Sequence, residues 1–234
     1  MDAIRVTNLK KSFKVGKESV EVLKNISFTV EKGEFVSIMG PSGGGKSTLL
    51  YLLGGLDKPT SGSVEINGKD LSKVKEKEMS KLRRNKIGFV FQFYNLVPNL
   101  SVEDNIMLPL ILDGKKLKDY KGKLDEILDI IGMKAKRKMT PRELSGGQQQ
   151  RVAIARALIF EPEIIFLDEP IGNLDSKTGA EIMELFRKIN KEYGKTLVQV
   201  THSEKSAEYG TSIIRLLDGQ IVSKEVLEQE EEAI

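Results

Sequence analysis

The sequence predicts an α/β fold with a mainly parallel sheet, an N-terminal antiparallel β subdomain and an inserted α-helical subdomain. Three patterns support this prediction. Short apolar runs are separated by helical-looking sequence, which is typical of a parallel sheet covered by helices on both faces. Near the N-terminus, apolar residues alternate with polar ones, as in half-buried strands. One long stretch shows helical spacing and no convincing strand.

The antiparallel part is expected at the N-terminus, within residues 1–70. Its alternating apolar residues are Ile4 and Val6, followed by Ile26, Phe28 and Val30. Val64 and Ile66 precede the dipeptide Asn67-Gly68, which favours a tight turn after a strand. We therefore expect half-buried strands that pair in antiparallel fashion.

The parallel strands are expected from a series of short apolar runs. These are residues 34–39, 87–91, 164–167, 196–200 and 213–217. The first of them ends in a glycine-rich loop. Because helical-looking sequence separates the runs, they are expected to form one sheet whose two faces are both covered.

The stretch from residue 93 to residue 160 interrupts this rhythm. It contains the mostly apolar segment 102–112. Further apolar residues follow at helical spacing, at Leu124, Ile127, Leu128 and Ile131. We expect 93–160 to be an inserted helical subdomain, so that 1–92 and 161–223 form the core. Residues 224–234 are expected to form an acidic tail that ends as a frayed helix.

Composition narrows the class of protein. Hydrophobic residues make up 39% of the 234 residues and charged residues 30%, as in ordinary globular proteins. A net charge of +3 without a basic block gives no support for nucleic-acid binding. The absence of cysteine excludes disulfides and thiolate metal sites. No stretch approaches the roughly 18 consecutive apolar residues of a membrane span, so we expect the chain to stay in the cytoplasm unless a partner holds it at a membrane. If the chain powers transport, the transmembrane part must be another polypeptide.

The clearest chemical signal is the segment Gly-Pro-Ser-Gly-Gly-Gly-Lys-Ser at residues 40–47. It matches the P-loop pattern at every fixed position and lies between a predicted strand and a helix. Backbone N–H groups and the helix N-terminus would hold phosphates, Lys46 would reach the β- and γ-phosphates, and Ser47 would bind Mg²⁺. A plain glycine-rich turn is the alternative. The residues assigned to the nucleotide here are Gly40, Pro41, Ser42, Gly43, Gly44, Gly45, Lys46, Ser47 and Thr48.

Two carboxylates, Asp168 and Glu169, follow the apolar run 164–167. Neighbouring side chains at a strand end point in different directions, so Asp168 can serve Mg²⁺ while Glu169 faces an attacking water. Charged residues also end strands simply because they are solvated there. The P-loop elsewhere in the chain favours the catalytic interpretation.

A second candidate phosphate site precedes a long helical run. It consists of Ser145, Gly146, Gly147 and Gln148. Ser145 and Gln148 have the spacing of a capping box, so these residues also explain the start of a helix. The two interpretations are compatible, because a capped helix N-terminus with two glycines can bind phosphate. A site composed from two subunits explains why one chain carries two such segments.

Three further residues are candidates by position. His202 is the only histidine, and it follows the strand predicted at 196–200, where α/β sheets bind ligands. A lone histidine is often incidental, but this position favours a functional one. Gln92 follows the strand predicted at 87–91. Phe13 can stack on adenine or pack in the core, and the sequence does not separate the two.

Together these residues resemble the ATP-binding subunits of ABC transporters. The resemblance covers nearly the whole chain, from Phe13 to the region of Val222, and its most specific part is LSGGQQQR at 144–151. The order of motifs also fits: aromatic residue, P-loop, glutamine, LSGGQ, the acidic pair, a loop containing an aspartate, and histidine. The resemblance implies the same α/β fold with a P-loop NTPase core.

The resemblance also implies a role for each candidate. Phe13 would stack on adenine, and Gln92 would contact Mg²⁺ and the partner subunit. Residues 145–148 would bind the γ-phosphate of ATP held by the opposite subunit, Asp175 would connect the two sites, and His202 would hold the γ-phosphate and the attacking water. The implied catalytic residues are Lys46, Glu169 and His202. The implied Mg²⁺ ligands are Ser47, Gln92 and Asp168.

Narrower matches point to a subgroup. Residues 54–62, 87–92 and 102–110 look like those of exporters of the macrolide and lipoprotein-release type, and within these the chain is similar to bacterial antimicrobial-peptide transporters of the bacitracin type. Four positions depart from the family pattern: Phe13 stands where tyrosine is common, Gly44 replaces serine, Ile171 replaces threonine and Ser203 replaces aspartate. The last two bear on the rate of hydrolysis.

The implied function is ATP hydrolysis that powers a separate membrane permease through ATP-driven closure of a homodimer. Two alternatives are a soluble ATPase of this family acting on ribosomes or DNA, and a nucleotide-binding switch that does not hydrolyse. One compact cassette without a basic stripe argues against the first, and Glu169 with His202 argues against the second. The expected permease contact is an apolar cluster, with local core packing as the alternative. Its residues are Phe93, Tyr94, Leu96 and Val97.

Overall fold

The computed structural model describes residues 1–227, which form two sheets and a set of helices. The strands are β1 (Asp2–Val15), β2 (Glu18–Glu31), β3 (Phe35–Met39), β4 (Ser61–Ile66), β5 (Lys69–Asp70), β6 (Ile87–Phe91), β7 (Ile164–Asp168), β8 (Thr196–Thr201), β9 (Ser212–Leu217) and β10 (Gln220–Val226). The α-helices are α1 (Lys46–Leu53), α2 (Glu76–Lys86), α3 (Val102–Leu112), α4 (Lys121–Ile130), α5 (Gly146–Leu158), α6 (Ser176–Tyr193) and α7 (Glu204–Ala207). Single 3-10 turns occur at Leu71–Lys73, Leu117–Tyr120, Lys134–Lys136 and Pro141–Glu143.

The larger sheet has the strand order β10-β9-β3-β8-β7-β6, and its strands are parallel except for β10. Each apolar run predicted as a parallel strand is one of these strands. Neighbouring residues of β3 face opposite cores, because Phe35 packs against the helical side and Val36 against the side of the antiparallel sheet. A strand buried on both faces needs a continuous apolar sequence, which explains the pattern.

The smaller sheet is antiparallel, with the order β2-β1-β4-β5. Asn67 and Gly68 both have positive φ in the tight turn between β4 and β5. Helix α1 packs with both sheets, and Leu49 and Leu53 are fully buried in the shared core. The antiparallel sheet therefore helps to hold the helix that follows the glycine-rich loop.

Between β6 and β7 the chain is helical, with α3, α4, α5 and three of the 3-10 turns. The helices share an apolar core with one face of the parallel sheet and with α6. The predicted fold class, with its mainly parallel sheet, antiparallel part and helical insertion, is confirmed.

Strand β10 was not expected from the sequence. Asp218 and Gly219 have positive φ and connect β9 to β10 as a tight hairpin. Residues 224–226, which the sequence analysis assigned to the acidic tail, instead continue β10. This edge strand is largely exposed, so it lacks the apolar pattern that marks the other strands. The remaining tail, 228–234, lies outside the described residues.

None of the described helices is long and apolar enough to cross a bilayer.

Candidate functional site

Lys46 lies at the start of α1, and its side chain points back into the preceding loop. The residue is 7% exposed, and Nζ donates to the carbonyl oxygens of Gly40 (2.9 Å) and Pro41 (3.0 Å). Gly43 and Gly45 have φ of 80° and 92°, in the left-handed region that favours glycine. The loop thus encloses a cationic group beside a helix N-terminus, an arrangement suited to phosphate.

Close contacts fix the position of this loop. A Cβ atom at Gly40 would lie 2.1 Å from the carbonyl oxygen of Leu216, so the loop rests against β9 where only glycine fits. A Cβ atom at Gly44 would lie 3.0 Å from the Pro41 carbonyl oxygen, which makes the position tight for the serine common in the family. The other residues of 40–48 that were predicted to bind the nucleotide lie in this loop or at the start of α1. Pro41 and Ser42 are exposed, and Thr48 is half-buried on α1.

Asp168, the last residue of β7, accepts hydrogen bonds from two side chains of α1. Ser47 Oγ lies 2.9 Å from Asp168 Oδ1, and the Tyr51 hydroxyl lies 2.7 Å from Asp168 Oδ2. Burial, the hydrogen bond and the negative charge of Asp168 raise the pKa of Tyr51 to about 12. The motifs predict that Ser47 and Asp168 belong to one site, but no pattern in the sequence indicates Tyr51.

Glu169 and His202 lie next to each other at the ends of neighbouring strands. His202 Nδ1 is 3.1 Å from the Glu169 carboxylate oxygens. Glu169 has φ of 47°, and its N–H donates to the Val200 carbonyl oxygen (3.1 Å), which holds the turn after β7. A carboxylate and an imidazole at a strand edge can orient a water molecule and accept its proton.

Gln92 is held against the loop that follows Glu169. Gln92 Nε2 donates to Asn173 Oδ1 (3.1 Å), and Asn173 Nδ2 donates to the Gln92 carbonyl oxygen (3.0 Å). A Cβ atom at Gly172 would lie 2.7 Å from Gln92 Nε2, so a larger residue there would displace the Gln92 amide. Gln92 follows β6, whose Phe91 pairs with Asp168, and it therefore starts beside the acidic pair. Asn173 had not been singled out in the sequence.

Residues 145–148, which we call the signature segment, cap α5. Ser145 Oγ accepts from the Gln148 N–H (3.4 Å), and Gln148 Oε1 accepts from the Ser145 N–H (3.1 Å). The predicted capping box is confirmed. The remaining helix N–H groups of the first turn have no intrahelical acceptor and can face an anion.

The two glycines of the signature segment allow close packing. A Cβ atom at Gly147 would lie 2.3 Å from Thr178 Cγ2 of α6, and one at Gly146 would lie 2.9 Å from the Tyr94 hydroxyl. The segment therefore sits in the helical part of the chain, against α6 and the loop after Gln92.

The loop after Glu169 is tied to the two helices around it. Gln150, fully buried on α5, donates from Nε2 to the Pro170 carbonyl oxygen (2.6 Å), and its Oε1 has no hydrogen-bond partner. Asp175 caps α6 by accepting from the Thr178 N–H (3.0 Å). The hydrogen bonds from the Thr178 side chain and backbone lower the pKa of Asp175. Gln150 was not predicted, because nothing in its local sequence marks it as buried.

Phe13 lies on β1 and is 40% exposed, so core packing does not account for it. Lys11 Nζ lies 4.7 Å from the ring centroid and also forms an ion pair with Asp57 (2.7 Å). The aromatic ring is therefore free to stack on a ligand at the edge of the antiparallel sheet.

The two departures from the family pattern near the acidic pair have structural partners. Ile171 packs partly buried against the helical core, and Ser203 caps α7 by accepting from the Ser206 N–H (3.3 Å). The structure gathers six of the predicted site residues at the carboxyl ends of the parallel strands. They are Lys46, Ser47, Gln92, Asp168, Glu169 and His202. The signature segment belongs to a separate element, and Phe13 belongs to the antiparallel sheet.

The chain is similar to known proteins over most of its length. The family model described as "ABC transporter" matches residues 23–172. An ABC transporter ATP-binding protein of Thermotoga maritima is 49% identical over 93% of both chains. The lipoprotein-releasing system ATP-binding protein LolD of Geobacter metallireducens is 44% identical over 94% of this chain and 98% of its own.

A solved structure matches as well. It is the dimeric, post-hydrolysis state of the ATP-binding cassette MJ0796, bound to ADP and Pi; this protein comes from Methanocaldococcus jannaschii. It superimposes with a TM-score of 0.87 at 45% identity, covering 97% of this chain and 99% of the other. From the motifs, the fold and these relatives together, the chain belongs to the ABC transporter family, as an ATP-binding and ATP-hydrolysing subunit.

Proposed function

We propose that this ATPase works as a homodimer that two ATP molecules close, and that closure drives a separate membrane permease. The observation that carries the proposal is the separation of two phosphate-binding segments, the loop 40–47 and the capped start of α5. A nucleotide needs only one phosphate-binding segment from the subunit that holds it, which is the loop 40–47. The capped start of α5 is then available for the γ-phosphate of a nucleotide held by a partner copy. The dimeric structures of the M. jannaschii cassette support this arrangement.

The residues at the end of β7 fit a Mg²⁺ ion bound with the nucleotide. Ser47 and Asp168 bring a hydroxyl and a carboxylate oxygen within 2.9 Å of each other, and Gln92 lies on the neighbouring strand end. Among residues 1–227 no group of three or more potential ligands of the His, Cys, Asp and Glu types occurs. Such a sparse set of oxygen donors suits a cation that takes its other ligands from phosphates and water. When bound, Mg²⁺ would neutralise phosphate charge during hydrolysis.

In the proposed mechanism the chain positions a water molecule for in-line attack on the γ-phosphorus. Glu169 orients the water and accepts its proton as the new O–P bond forms and the bond to the β-phosphate oxygen breaks. His202, in contact with Glu169, holds the γ-phosphate and water. Lys46 stabilises the phosphate charge from within the loop. Asp175 connects the two sites of the dimer from its place at the start of α6.

We propose that the permease docks where the helical part meets the parallel sheet. An open groove of about 620 Å³ lies there. Its lining is mainly apolar and aromatic, with arginines, and includes Phe89, Phe91, Leu112, Phe160, Arg84 and Arg156. Arg156 donates to the carbonyl oxygens of Asn95 (2.5 Å) and Tyr94 (2.7 Å), which fixes the loop beside the groove.

The apolar cluster predicted as the permease contact divides in the structure. Phe93 is 72% exposed and Val97 is 38% exposed, whereas Leu96 packs partly buried against the helical core. Phe93 lies between Phe91 and Asn95, both of which line the groove. The exposed part of the cluster thus extends the proposed docking surface, and core packing explains Leu96.

We infer that the partner permease is an exporter or lipoprotein-release transporter, which would keep this subunit peripheral on the cytoplasmic face of the membrane. The name of the G. metallireducens relative supports lipoprotein release. Antimicrobial-peptide transport is the second candidate, from the sequence resemblance. The ATPase of the purified complex should be stimulated by a diacylated lipopeptide in the first case and by an antimicrobial peptide in the second.

A trapped dimer tests the central proposal. Glu169→Gln keeps the shape of the side chain but removes the carboxylate base, so turnover should fall by about 100-fold or more. The variant should bind ATP and accumulate as a dimer with two nucleotides, whereas ADP, which lacks the γ-phosphate, should leave it monomeric. Light scattering and counts of bound nucleotide measure both outcomes.

A second substitution provides the control. Adding Ser145→Arg places a bulky cation in the signature segment, and the double variant should return to monomer with nucleotide still bound in the loop 40–47. A Glu169→Gln protein that stays monomeric at saturating ATP, over a wide range of protein and salt concentrations, would reduce the signature segment to a helix cap.

A further inference from the structure

The carboxylate of Asp168 is held at both oxygens by one helix. Ser47 Oγ is 2.9 Å from Oδ1, and the Tyr51 hydroxyl is 2.7 Å from Oδ2. Tyr51 follows Ser47 by four residues on α1, so the two side chains lie on the same face of that helix. The arrangement connects α1, which begins at the phosphate loop, directly to the end of β7.

We propose that Tyr51 is a positioning residue for the Mg²⁺ site, whose hydroxyl anchors one oxygen of Asp168 and leaves the other available to the ion. The inference rests on the proposed Mg²⁺-dependent function. Tyr51 itself is not a ligand in this proposal and acts through Asp168.

The two hydrogen-bond donors of Asp168 differ in what they can do when the metal binds. Ser47 is itself a proposed ligand, so its hydroxyl oxygen is needed by the ion and its hydrogen bond to Asp168 can be lost. Tyr51 keeps its hydrogen bond, because its oxygen has no role at the metal. Hydrogen bonds to a ligating carboxylate orient that ligand, and such partners affect metal affinity strongly.

The hydroxyl of Tyr51 is suited to this task. A phenolic hydroxyl carries one proton, and that of Tyr51 is donated to Asp168 Oδ2 at 2.7 Å. The ring packs partly buried beside the core shared by α1 and the two sheets, which limits its motion. Packing involves the ring and positioning involves the hydroxyl, so the two roles can be separated by substitution.

Tyr51→Phe removes the hydroxyl and keeps the ring. Nucleotide binding is measured with a fluorescent ATP analogue, first in EDTA and then over a Mg²⁺ titration. We expect the Mg²⁺ concentration at half-saturation to rise by about tenfold, while the affinity in EDTA stays at the wild-type value. Tyr120→Phe is the matched control, because Tyr120 is a half-buried tyrosine packed against the helical core; it should change neither quantity.

Two results with Tyr51→Phe would overturn the inference while the proposed metal site stands. One is a Tyr51→Phe half-saturation within about twofold of the wild type, which would leave the hydroxyl without effect on the metal. The other is an equal loss of affinity with and without Mg²⁺, which would place the effect in the phosphate loop. If the wild-type chain binds nucleotide equally well in EDTA and Mg²⁺, the proposed metal site itself fails, and the inference fails with it.

Discussion

Lys46 shows how a single side chain prepares the loop for phosphate. Its ammonium group donates to the carbonyl oxygens of Gly40 and Pro41, so the loop already surrounds a positive charge. Carbonyl oxygens are neutral acceptors, and phosphate oxygens form stronger, charge-assisted hydrogen bonds with the same donor. In the proposed site, a nucleotide would therefore compete with the two carbonyl oxygens for a donor that is already in place.

We expect Lys46→Ala to weaken ATP binding severely. A hydrogen bond to a charged group contributes about 1.5–3 kcal/mol, which corresponds to a loss of about 10- to 100-fold in affinity. Calorimetric titration with ATP measures the change. Lys118→Ala, at an exposed lysine of the helical part, is the control and should bind as the wild type does. A Lys46→Ala constant near the wild-type value would contradict the assignment of the loop.

His202 contacts the carboxylate of Glu169, the proposed base, and its side chain is 65% exposed. Its removal should therefore leave the fold and ATP binding intact but lower turnover by about tenfold or more, since in the proposed mechanism it acts at the γ-phosphate and water. ATPase rates and nucleotide affinity are compared in parallel for His202→Ala. Turnover within about threefold of the wild type, less than about 1 kcal/mol in the barrier, would reduce His202 to a structural residue.

At the level of elements, helices α5 and α6 pack closely against each other beside the signature segment. Gly147 in the first turn of α5 faces Thr178 in the first turn of α6, and Asp175 caps that second helix. Gln150 adds a buried hydrogen bond from α5 to the loop between them. The start of α5 is thus joined to the loop that carries Glu169.

Gly147→Ala should destabilise the folded chain. The added methyl group would lie 2.3 Å from Thr178 Cγ2. Overpacking of this kind costs about 1–3 kcal/mol of the free energy of unfolding, although alanine favours the helix by up to about 1 kcal/mol. Urea denaturation measures the net change.

Thr178→Ser is the matched rescue. It removes the Cγ2 methyl group and keeps the hydroxyl that faces Asp175. The Gly147→Ala, Thr178→Ser double variant should recover most of the lost stability. Equal stability of the single and double variants would show that the contact with Thr178 is not the cause.

Across the molecule, strand β6 connects the proposed nucleotide site with the proposed docking groove. The proposed nucleotide site lies at the carboxyl ends of the parallel strands. Phe91 lines the groove, and the next residue, Gln92, is held by the loop after Glu169. If both proposals hold, a change at the nucleotide would reach the groove through this short, hydrogen-bonded segment. The short distance along the chain between Gln92 and the groove suits a subunit in which ATP hydrolysis moves the attached permease.

Cysteine cross-linking in the assembled transporter tests that placement. Because the chain has no cysteine, a single introduced thiol is unique. Phe93→Cys and Leu112→Cys, which are 72% and 74% exposed, should cross-link to cysteines in the cytoplasmic loops of the permease. Leu217→Cys, 48% exposed at the end of β9, is the control and should not. Cross-links from the Leu217→Cys control alone would place the permease at the end of β9 and not at the proposed docking groove.

Elements with a local signal could be predicted from the sequence. The parallel strands were visible because both of their faces are buried, and the start of α5 because its cap residues are neighbours in the chain. The loop 40–47 was recognisable for the same reason, since its glycines and Lys46 act within eight consecutive residues. Strand β10 was missed because an exposed edge strand has no apolar pattern, although Asp218-Gly219 was a usable hairpin signal.

The tertiary structure alone decided which distant residues meet. Tyr51 and Asp168 are 117 residues apart, and Gln92 and Asn173 are 81 apart, so no local pattern predicts either hydrogen bond. The pairing of β7 between β6 and β8 brings the ends of these strands, and with them Gln92 and Asp168, to the same side of the sheet. The physical reason is that local propensity and periodicity act over a few residues, whereas burial and strand pairing select partners across the whole chain.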